Sequence, residues 1–316
     1  MNADIFAEWL RLQYHTVVRT ENSYWYDSGP RVYQAFPYHW LISPDEKEVN
    51  GFLTEHKAIG LRYSTPLESA VGAHSYHAIY DGTEYHLELL GKSARKNIRR
   101  GLKNCRVEPV TFELLADEGW NLQLDTLDRQ GRELRLTKST WERRMLAARD
   151  LPGFEAWGAF VGNHLGASVI TFTMDDWLYM LYQQCRREYL PQHVNNALSF
   201  VVTQTMIERK PQVAILYGLH SLDAPPSVDE FKFRMGYRAK AVRQRVAFHP
   251  TLSPLFNRAS HLALKHARRW MPNNPTLAKM EGMIRFYLQG KQPLDEQPYP
   301  PSLSSSDGDL YYESKN

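Results

Sequence analysis

The chain has 316 residues, of which 43% are hydrophobic and 23% charged, and its mean hydropathy is −0.51. These values are typical of a globular chain of about two domains and exclude wholesale disorder. The net charge of +3 is too small for a protein that coats nucleic acid with its whole surface. The two cysteines exclude a disulfide scaffold and a four-cysteine metal site, and no metal is predicted.

Residues 1–90 are predicted to form a small α+β unit. A helix is expected over 7–18, and two strand-like runs, SYHAIY and TEYHLELL, flank a turn at Asp81-Gly82. The first residues contain neither a basic segment nor an apolar one, which predicts a cytoplasmic protein.

The segment 91–107 is the most biased part of the chain. It contains seven cations and no acid: Lys92, Arg95, Lys96, Arg99, Arg100, Lys103 and Arg106. These seven exceed the net charge of the whole chain, so the positive charge is local. With Ser93 as N-cap and Ala94 and Ile98 on one stripe, the segment predicts a basic helix. Its charge either forms a solvated surface or faces a phosphorylated ligand.

Residues 91–250 are predicted to form one α/β domain. Helical periodicity covers 112–149, and the elements after it are strands at 156–161, 167–174 and 178–185, a helix at 192–208, a strand at 213–217, a short helix around 231 and a strand at 241–248. This order predicts one right-handed crossover between parallel strands. The uncharged run 156–174 contains Gly162-Asn163 and is therefore interpreted as a hairpin, not a membrane span. Two helices over 251–290 and a disordered tail over 291–316 complete the prediction.

The segment KSARKNIRRGLK at 92–103 resembles the helix that opens the second half of Fem-type transferases, whose pattern is S-x-x-x-R-x-x-I-R-x-A-x-K. The meander, the proline-led helix after it and the run FKFRMGY at 231–237 are similar to the same group and to the wider GNAT acyltransferase superfamily. This resemblance covers roughly 75–250 and, more weakly, the N-terminal part. It implies an α+β (mixed α/β) GNAT-like fold, with a shortened first repeat, a fuller second repeat and a C-terminal helical extension.

The resemblance also implies acyl transfer. GNAT enzymes bind acyl-CoA where the fourth and fifth strands diverge, with the pyrophosphate on the amides of the following helix. In this chain the corresponding cofactor-binding candidates are Arg186, Arg187, Gln192, His193, Asn195 and Asn196. The family's glycine-rich turn is absent from this segment. The donor therefore stays open between acetyl-CoA, another acyl-CoA, and the aminoacyl-tRNA that Fem-type proteins use.

Polar residues at the ends of the predicted strands are the candidates for chemistry, because ligands collect outside strand C-termini. His220 is the candidate base for an acceptor amine, with Asp223 to orient it, and Tyr217 is the candidate proton donor to the leaving group. The substrate-binding candidates are Gln183, Ser221 and Lys232. Each of these residues could instead have a purely structural role: it could stabilise a loop, pack in the core or lie in solvent.

The leading hypothesis is an N-acyltransferase whose acceptor is an amine of a small metabolite, a sugar or a cell-envelope precursor. One alternative is a Fem-type aminoacyltransferase that holds tRNA on the basic helix, and another is a non-catalytic binding module. Peripheral membrane contact is a further hypothesis for the helix at 255–271, where Leu262 and Trp270 oppose Lys265 and Arg269.

Overall fold

The computed structural model describes residues 3–131, 136–223 and 226–303. Its tertiary contacts separate two compact units that interleave along the chain. Unit 1 comprises the chain up to Gln13, Ala78–Gly218 and Pro226–Arg238, and unit 2 comprises Tyr14–His77, the described part of Leu219–Pro225 and the chain from Ala239 onward. The sequence-based division at residues 90, 250 and 290 follows chain order and stays a prediction. Most of the predicted tail lies outside the described residues.

Helices and strands alternate through both units. The α-helices are α1 Ala3–Leu12, α2 Glu46–Glu55, α3 Lys92–Asn104, α4 Phe112–Asp117, α5 Gly119–Arg129, α6 Lys138–Leu146, α7 Val194–Arg209, α8 Pro226–Arg234, α9 Arg258–Trp270 and α10 Pro275–Gln289. The strands are β1 Val17–Arg19, β2 Tyr24–Gly29, β3 Val32–Phe36, β4 Gly60–Thr65, β5 Ala73–Tyr80, β6 Arg106–Val110, β7 Phe154–Val161, β8 His164–Met174, β9 Trp177–Cys185, β10 Ala214–Leu219 and β11 Arg238–Phe248. Short 3₁₀ helices span Leu87–Leu89, Arg187–Gln192, Ser253–Leu255 and Leu294–Glu296.

In unit 1, β6 to β9 form an antiparallel meander, and β10 joins β9 as a parallel neighbour. Successive strand side chains point to opposite faces of this sheet, so both faces need a cover. One face, with Trp157 and Val169, packs against Leu198 of α7. The other face packs against α1, where the rings of Phe6 and Phe172 lie 5.3 Å apart. The crossover β9–α7–β10 therefore joins two strands inside a covered sheet.

In unit 2 the strand order is β1-β2-β3-β4-β11, and β3 and β4 form the parallel pair. Leu61 and Tyr63 of β4 pack in one core with Phe52 and Leu53 of α2. The crossover β3–α2–β4 repeats the order of β9–α7–β10 in shorter form. The predicted mixed α/β architecture, with a short and a fuller repeat followed by helices, is confirmed.

Several local predictions were wrong. The helix predicted over 7–18 ends at Leu12, because Tyr14 adopts a left-handed conformation (φ 68°) and the chain continues into β1. TEYHLELL is not a strand, since its two buried residues, Tyr85 and Leu90, are five positions apart and do not alternate. The basic helix begins after Gly91 as N-cap and not after Ser93.

Strand β6 was not predicted because its amino-acid composition is unusual for a strand. Its sequence RVEPV contains two charges and a proline, which are typical of an edge strand. Among the described strands it lies at the end of the sheet order, next to β7. The meander, the helix that follows it and the two C-terminal helices are confirmed.

Candidate active site

The strands β9 and β10 diverge at their C-terminal ends. Their parallel ladder consists of three residue pairs, the last of which is Leu216 with Tyr179. Opposite β8, the register of β9 shifts by one residue, so that Tyr182 and Gln183 lie across from a single residue. Tyr182 has a φ of 49°, which marks this shift as a β-bulge. A bulge leaves backbone groups outside the ladder, and here they lie next to the divergence of the two strands.

A network of polar side chains links the two diverging strands to α7. The Gln183 amide donates hydrogen bonds to Asn195 Oδ1 and Ser199 Oγ, both at 2.7 Å. The Tyr217 hydroxyl donates to Gln183 Oε1. The structure therefore brings together three of the predicted residues, Gln183, Asn195 and Tyr217. It adds Ser199, which the sequence analysis missed although its spacing from Asn195 places both on one face of the helix.

Burial keeps the hydroxyl of Tyr217 protonated. It raises the pKa of Tyr217 well above 10, against a smaller opposing effect of the hydrogen bond to Ser199. The Tyr237 ring contacts Tyr217 edge-on at 4.9 Å, and Lys232 Nζ lies 5.5 Å from the centre of the Tyr217 ring. Desolvation makes this phenol a weaker acid, so it stays protonated and can donate a hydrogen bond beside the bulge.

Lys232, predicted to bind substrate, is held in a buried ion pair. Its side chain is 9% exposed, and Nζ lies 2.6 Å from Oδ1 of Asp229, one turn earlier on α8. The carboxylate of Asp229 compensates the charge of the desolvated ammonium group. This ion pair explains a buried lysine at this position without a bound ligand. The role of Lys232 in substrate binding stays a prediction.

The N-terminus of α7 carries no carboxylate. His193 is its N-cap, in a left-handed conformation (φ 59°), and its side chain does not cap the helix. The first turn contains no acid. Such an end presents backbone N–H groups and the positive end of the helix dipole to an anion.

Helix α3 brings cations to this end of α7. A Cβ at Gly101 would lie 2.4 Å from the carbonyl oxygen of His193, so glycine alone permits this approach. Burial and the charge of Arg100, followed by a smaller effect of Lys96, lower the pKa of His193. The basic helix of the sequence analysis therefore lies beside the predicted phosphate site.

The two arginines predicted to bind phosphate differ in their contacts. Arg187 is engaged by two acids: its backbone N–H donates to Asp125, and Nη2 lies 2.5 Å from Asp128 Oδ2. Arg186 pairs more loosely with Glu188 at 3.3 Å, and its Nε is buried without a hydrogen-bond partner among the described residues. Arg186 is the better placed of the two to receive a ligand.

The remaining cofactor candidates make structural contacts. Gln192 is the last residue of the 3₁₀ helix, and its carbonyl accepts a hydrogen bond from Asn104 Nδ2 at 3.3 Å. Asn196 Nδ2 lies 3.5 Å from Met235 Sδ. The segment for which the resemblance implied a glycine-rich turn is the 3₁₀ helix Arg187–Gln192.

The predicted catalytic residues are divided between the units. Tyr217 belongs to unit 1, whereas His220, Ser221 and Asp223 belong to unit 2. The His220 ring stacks on Tyr76 at 4.4 Å, with an interplanar angle of 15°. Its Nδ1 lies 3.3 Å from the hydroxyl of Ser75, and Asp223 Oδ1 accepts a hydrogen bond from Ser221 at 3.1 Å.

Two arginines hold this loop of unit 2 by its backbone. Arg62 Nη2 donates to the carbonyl of His220 at 2.7 Å, and Arg285 Nη2 donates to that of Leu222 at 3.0 Å. Burial lowers the pKa of Arg62 to about 10, against opposing effects led by Tyr26 and Asp223. No signal in the sequence pointed to Arg62, because its partner loop lies 158 positions away.

Neither a metal centre nor a membrane span is found within residues 3–131, 136–223 and 226–303. In these ranges no group of three or more His, Cys, Asp or Glu side chains could hold a metal ion. None of the helices there is both long enough and apolar enough to cross a bilayer.

Comparison with solved structures confirms the GNAT-like fold that the resemblance implied. The chain is similar to FemX, with a TM-score of 0.53 at 11% identity over 80% of this chain and 92% of that one. It is also similar to the C-terminal domain of a protein described as a lysylphosphatidylglycerol synthetase from Agrobacterium fabrum, with a TM-score of 0.51 at 13% identity over 77% and 86% of the two chains. No family model and no curated protein matches the sequence.

Proposed function

We propose that the protein is an N-acyltransferase that moves an acyl group from a phosphorylated carrier to an amine. The observation that carries this proposal is the divergence of β9 and β10 at a bulge, with Gln183 and Tyr217 joined across it. Backbone N–H groups at such a bulge would polarise the acyl carbonyl and stabilise the oxyanion that forms on it.

The proposed reaction is a direct attack. The amine nitrogen bonds to the acyl carbon, and the bond from that carbon to the sulfur or oxygen of the carrier breaks. The leaving thiolate or alkoxide takes its proton from the Tyr217 hydroxyl, which burial keeps protonated. The amine gives its proton to a base, and the proton returns to Tyr217 through solvent at the end of the cycle.

His220 is the proposed base, with Asp223 and Ser221 as supporting residues of the same loop. The proposal rests on the chemistry of imidazole, which accepts a proton near neutral pH. The hydrogen bonds from Arg62 and Arg285 to this loop would hold His220 in place.

For the donor we propose acyl-CoA, acetyl-CoA among others. The N-terminus of α7, with no carboxylate in its first turn and with Arg100 and Lys96 beside it, suits a pyrophosphate. Arg186 would add a guanidinium group, and Gln192, His193, Asn195 and Asn196 stay proposed neighbours of the carrier.

Aminoacyl-tRNA is the second candidate donor, and the length of the basic surface on α3 favours it. A helix of 13 residues is about 20 Å long, which exceeds the span of one pyrophosphate and suits several phosphates of a polynucleotide. FemX and the synthetase named for lysylphosphatidylglycerol support an acceptor from the cell envelope under either donor.

Calorimetric binding of acetyl-CoA at low and high salt tests the donor. The parent chain is compared with Lys96→Gln/Arg100→Gln and with the matched control Arg95→Gln/Arg99→Gln, which removes two other charges from the same helix. One-site binding that the first variant weakens about tenfold and the control leaves unchanged supports acyl-CoA at α7.

The same variants are then titrated with aminoacyl-tRNA. Binding that both variants weaken and that falls steeply with salt supports the tRNA donor. Absence of binding to either donor contradicts the proposed enzyme and favours a binding module that has kept the fold alone.

A further inference from the structure

Helix α9 and the residues that flank it expose several large apolar side chains. Leu255 is 63% exposed, Leu262 59%, Trp270 85% and Met271 49%. α9 contains no buried residue, although it has the amphipathic sequence of a helix with two unlike faces. Exposed apolar side chains that share one face of a helix mark an interaction site in a folded protein.

The inner face of α9 is fixed by α10. His261 Nε2 and Arg268 Nη1 each lie 2.8 Å from an oxygen of the buried Glu281, and Leu264 packs in the same core as Met283. Asn257 closes a capping box at the start of the helix. The apolar face therefore points outward because the other face is held, and not because the helix is frayed.

Cations flank the apolar residues on the outer face. At about 100° per residue, Ala259, Leu262 and Trp270 fall within an arc of about 80°. Arg258, Lys265 and Arg269 fall within an adjacent arc of about 40°. These three cations have no ion-pair partner in the part of the chain that the structure describes.

The charge around this face has one sign. From Arg258 to Met280 the sequence contains five lysines and arginines and no aspartate or glutamate. A second copy of the chain seated on this face by a two-fold axis would place these cations opposite one another, which is unfavourable. A polynucleotide would neutralise the cations but would leave the exposed Leu262 and Trp270 in water.

We propose that the outer face of α9 docks the protein on an anionic lipid surface. Trp and Leu side chains bury at the boundary between headgroups and acyl chains, while Lys and Arg extend to the lipid phosphates. Each such cation strengthens binding to an anionic bilayer about fivefold. This inference does not depend on the identity of the acyl donor or on catalysis.

Co-sedimentation of the full chain with vesicles tests the proposal. The parent chain is expected to sediment with vesicles that contain phosphatidylglycerol, to stay in solution with phosphatidylcholine alone, and to be released by salt. Leu262→Ala/Trp270→Ala removes the apolar contacts, and Lys265→Gln/Arg269→Gln removes two charges. Because all four side chains are exposed, both variants are expected to keep the circular dichroism spectrum of the parent.

The control is Lys47→Gln/Lys57→Gln, which removes two exposed lysines of unit 2 from α2 and the residues just after it. We expect each α9 variant to bind at least about tenfold more weakly than the parent, and the control to bind as the parent does. Vesicle binding that survives in both α9 variants, or a folded parent chain that does not bind anionic vesicles, overturns the proposal. A dimer in sedimentation velocity that Trp270→Ala dissociates, without vesicle binding, would assign the face to a second copy instead.

Discussion

The two crossovers of the molecule have the same order of elements, but the helix of one begins with acidic residues and the helix of the other begins without them. In β3–α2–β4, Asp45 accepts a hydrogen bond from the backbone of Glu48 at 2.7 Å, and Glu46 lies in the first turn. In β9–α7–β10, the first turn of α7 has neither an acid nor a side-chain cap. The positive end of α2 is therefore satisfied by its own residues, whereas that of α7 remains able to bind an anion.

The units also differ in the titratable groups that they bury. Unit 2 buries His77 and largely buries His39, and desolvation followed by the charge of Lys240 lowers their pKa values to about 3 and about 4. Unit 1 buries Tyr217 and Tyr237, whose pKa values desolvation raises well above 10. Burial disfavours the charged form in both cases, so unit 2 is sensitive to acid and the tyrosine cluster of unit 1 to alkali.

The largest effect is expected for Tyr217→Phe, which tests whether the chemistry belongs to the β9–α7–β10 crossover. Phenylalanine keeps the ring contacts but removes the proton that the leaving group would take. We expect kcat to fall at least about 100-fold and the unfolding free energy to fall by about 1 kcal/mol, because the hydrogen bond to Gln183 is lost as well. The measurement is steady-state kinetics with whichever donor the binding experiment identifies.

Tyr237→Phe is the matched control for this substitution. Its hydroxyl is bonded to Thr203 Oγ1 at 2.7 Å within the same cluster, so its loss should lower stability by about 1 kcal/mol and leave kcat unchanged. Equal effects of the two substitutions on kcat would show that Tyr217 has a structural role only.

Acid should lower the unfolding free energy of the protein, because unit 2 contains a buried histidine, His77, that is uncharged in the folded state. The folded pKa of His77, about 3, lies below its ordinary value of 6.5, so the unfolded chain binds the extra proton first as the pH falls. Stability from this group is complete above pH 6.5 and is lost progressively below it, by about 3 kcal/mol at pH 4. Urea unfolding at pH 7.5 and pH 4.5 measures this loss.

His77→Gln should remove about half of the loss between the two pH values, because glutamine does not titrate whereas His39, whose pKa is also lowered, still does. The exposed His164 of unit 1 provides the control: His164→Gln removes one histidine without touching a buried ring. A loss between the two pH values that is as large in His77→Gln as in the parent would contradict the assignment to unit 2.

Much of the architecture was predictable because it follows from local patterns. Gly162-Asn163 and Asp175-Asp176 separate three alternating runs, and each run became a strand of the meander. The same reasoning failed where tertiary contacts decide the conformation. Tyr85 is buried in the core of unit 1, and its hydroxyl donates a hydrogen bond to the Met235 carbonyl 150 positions away. The strand-like sequence around it contains a 3₁₀ helix instead of a strand.

The candidate site was predictable only in part, for the same reason. Gln183 and Tyr217 end two strands that pair in parallel, so their meeting follows from the order of elements. Ser199 could have been found from its spacing to Asn195 on one helix face, whereas the contact of Arg62 with the His220 carbonyl follows from no local pattern. The acids that hold Arg187 come from α5, far earlier in the chain, which is why the sequence showed an available guanidinium where the structure shows an ion pair.

A smaller effect, on the stability of the fold, is expected where α3 packs closely against α7. In Gly101→Ala the new Cβ would meet the His193 carbonyl at 2.4 Å and Ala197 at 2.9 Å, so the helices must separate. We expect a net loss of about 1–3 kcal/mol in unfolding free energy, which outweighs the gain of about 1 kcal/mol in helix propensity. Denaturant unfolding measures it.

Gly51→Ala in α2 is the counterpart in the other crossover. No atom lies within 4 Å of a Cβ built at Gly51, so only the propensity gain remains, and we expect stabilisation by about 0.5–1 kcal/mol. A stabilising effect of both substitutions would mean that α3 is not packed tightly against α7, and the cations of α3 would lose their link to the proposed donor site.

The smallest change in stability is expected when an acidic residue is placed in the first turn of α7, as is already the case in α2. Asn195→Asp keeps an oxygen for the bond from Gln183 and places a carboxylate in the first turn of α7. The helix dipole should then stabilise the fold by about 0.3–1 kcal/mol, while the donor binds about tenfold more weakly at low salt because its phosphates meet a like charge. Asn50→Asp on α2 changes the net charge equally and should leave donor binding intact. Unfolding free energy and donor affinity change in opposite directions only if the N-terminus of α7 is an anion site. A variant that gains stability and still binds the donor like the parent would therefore show that the phosphates bind elsewhere.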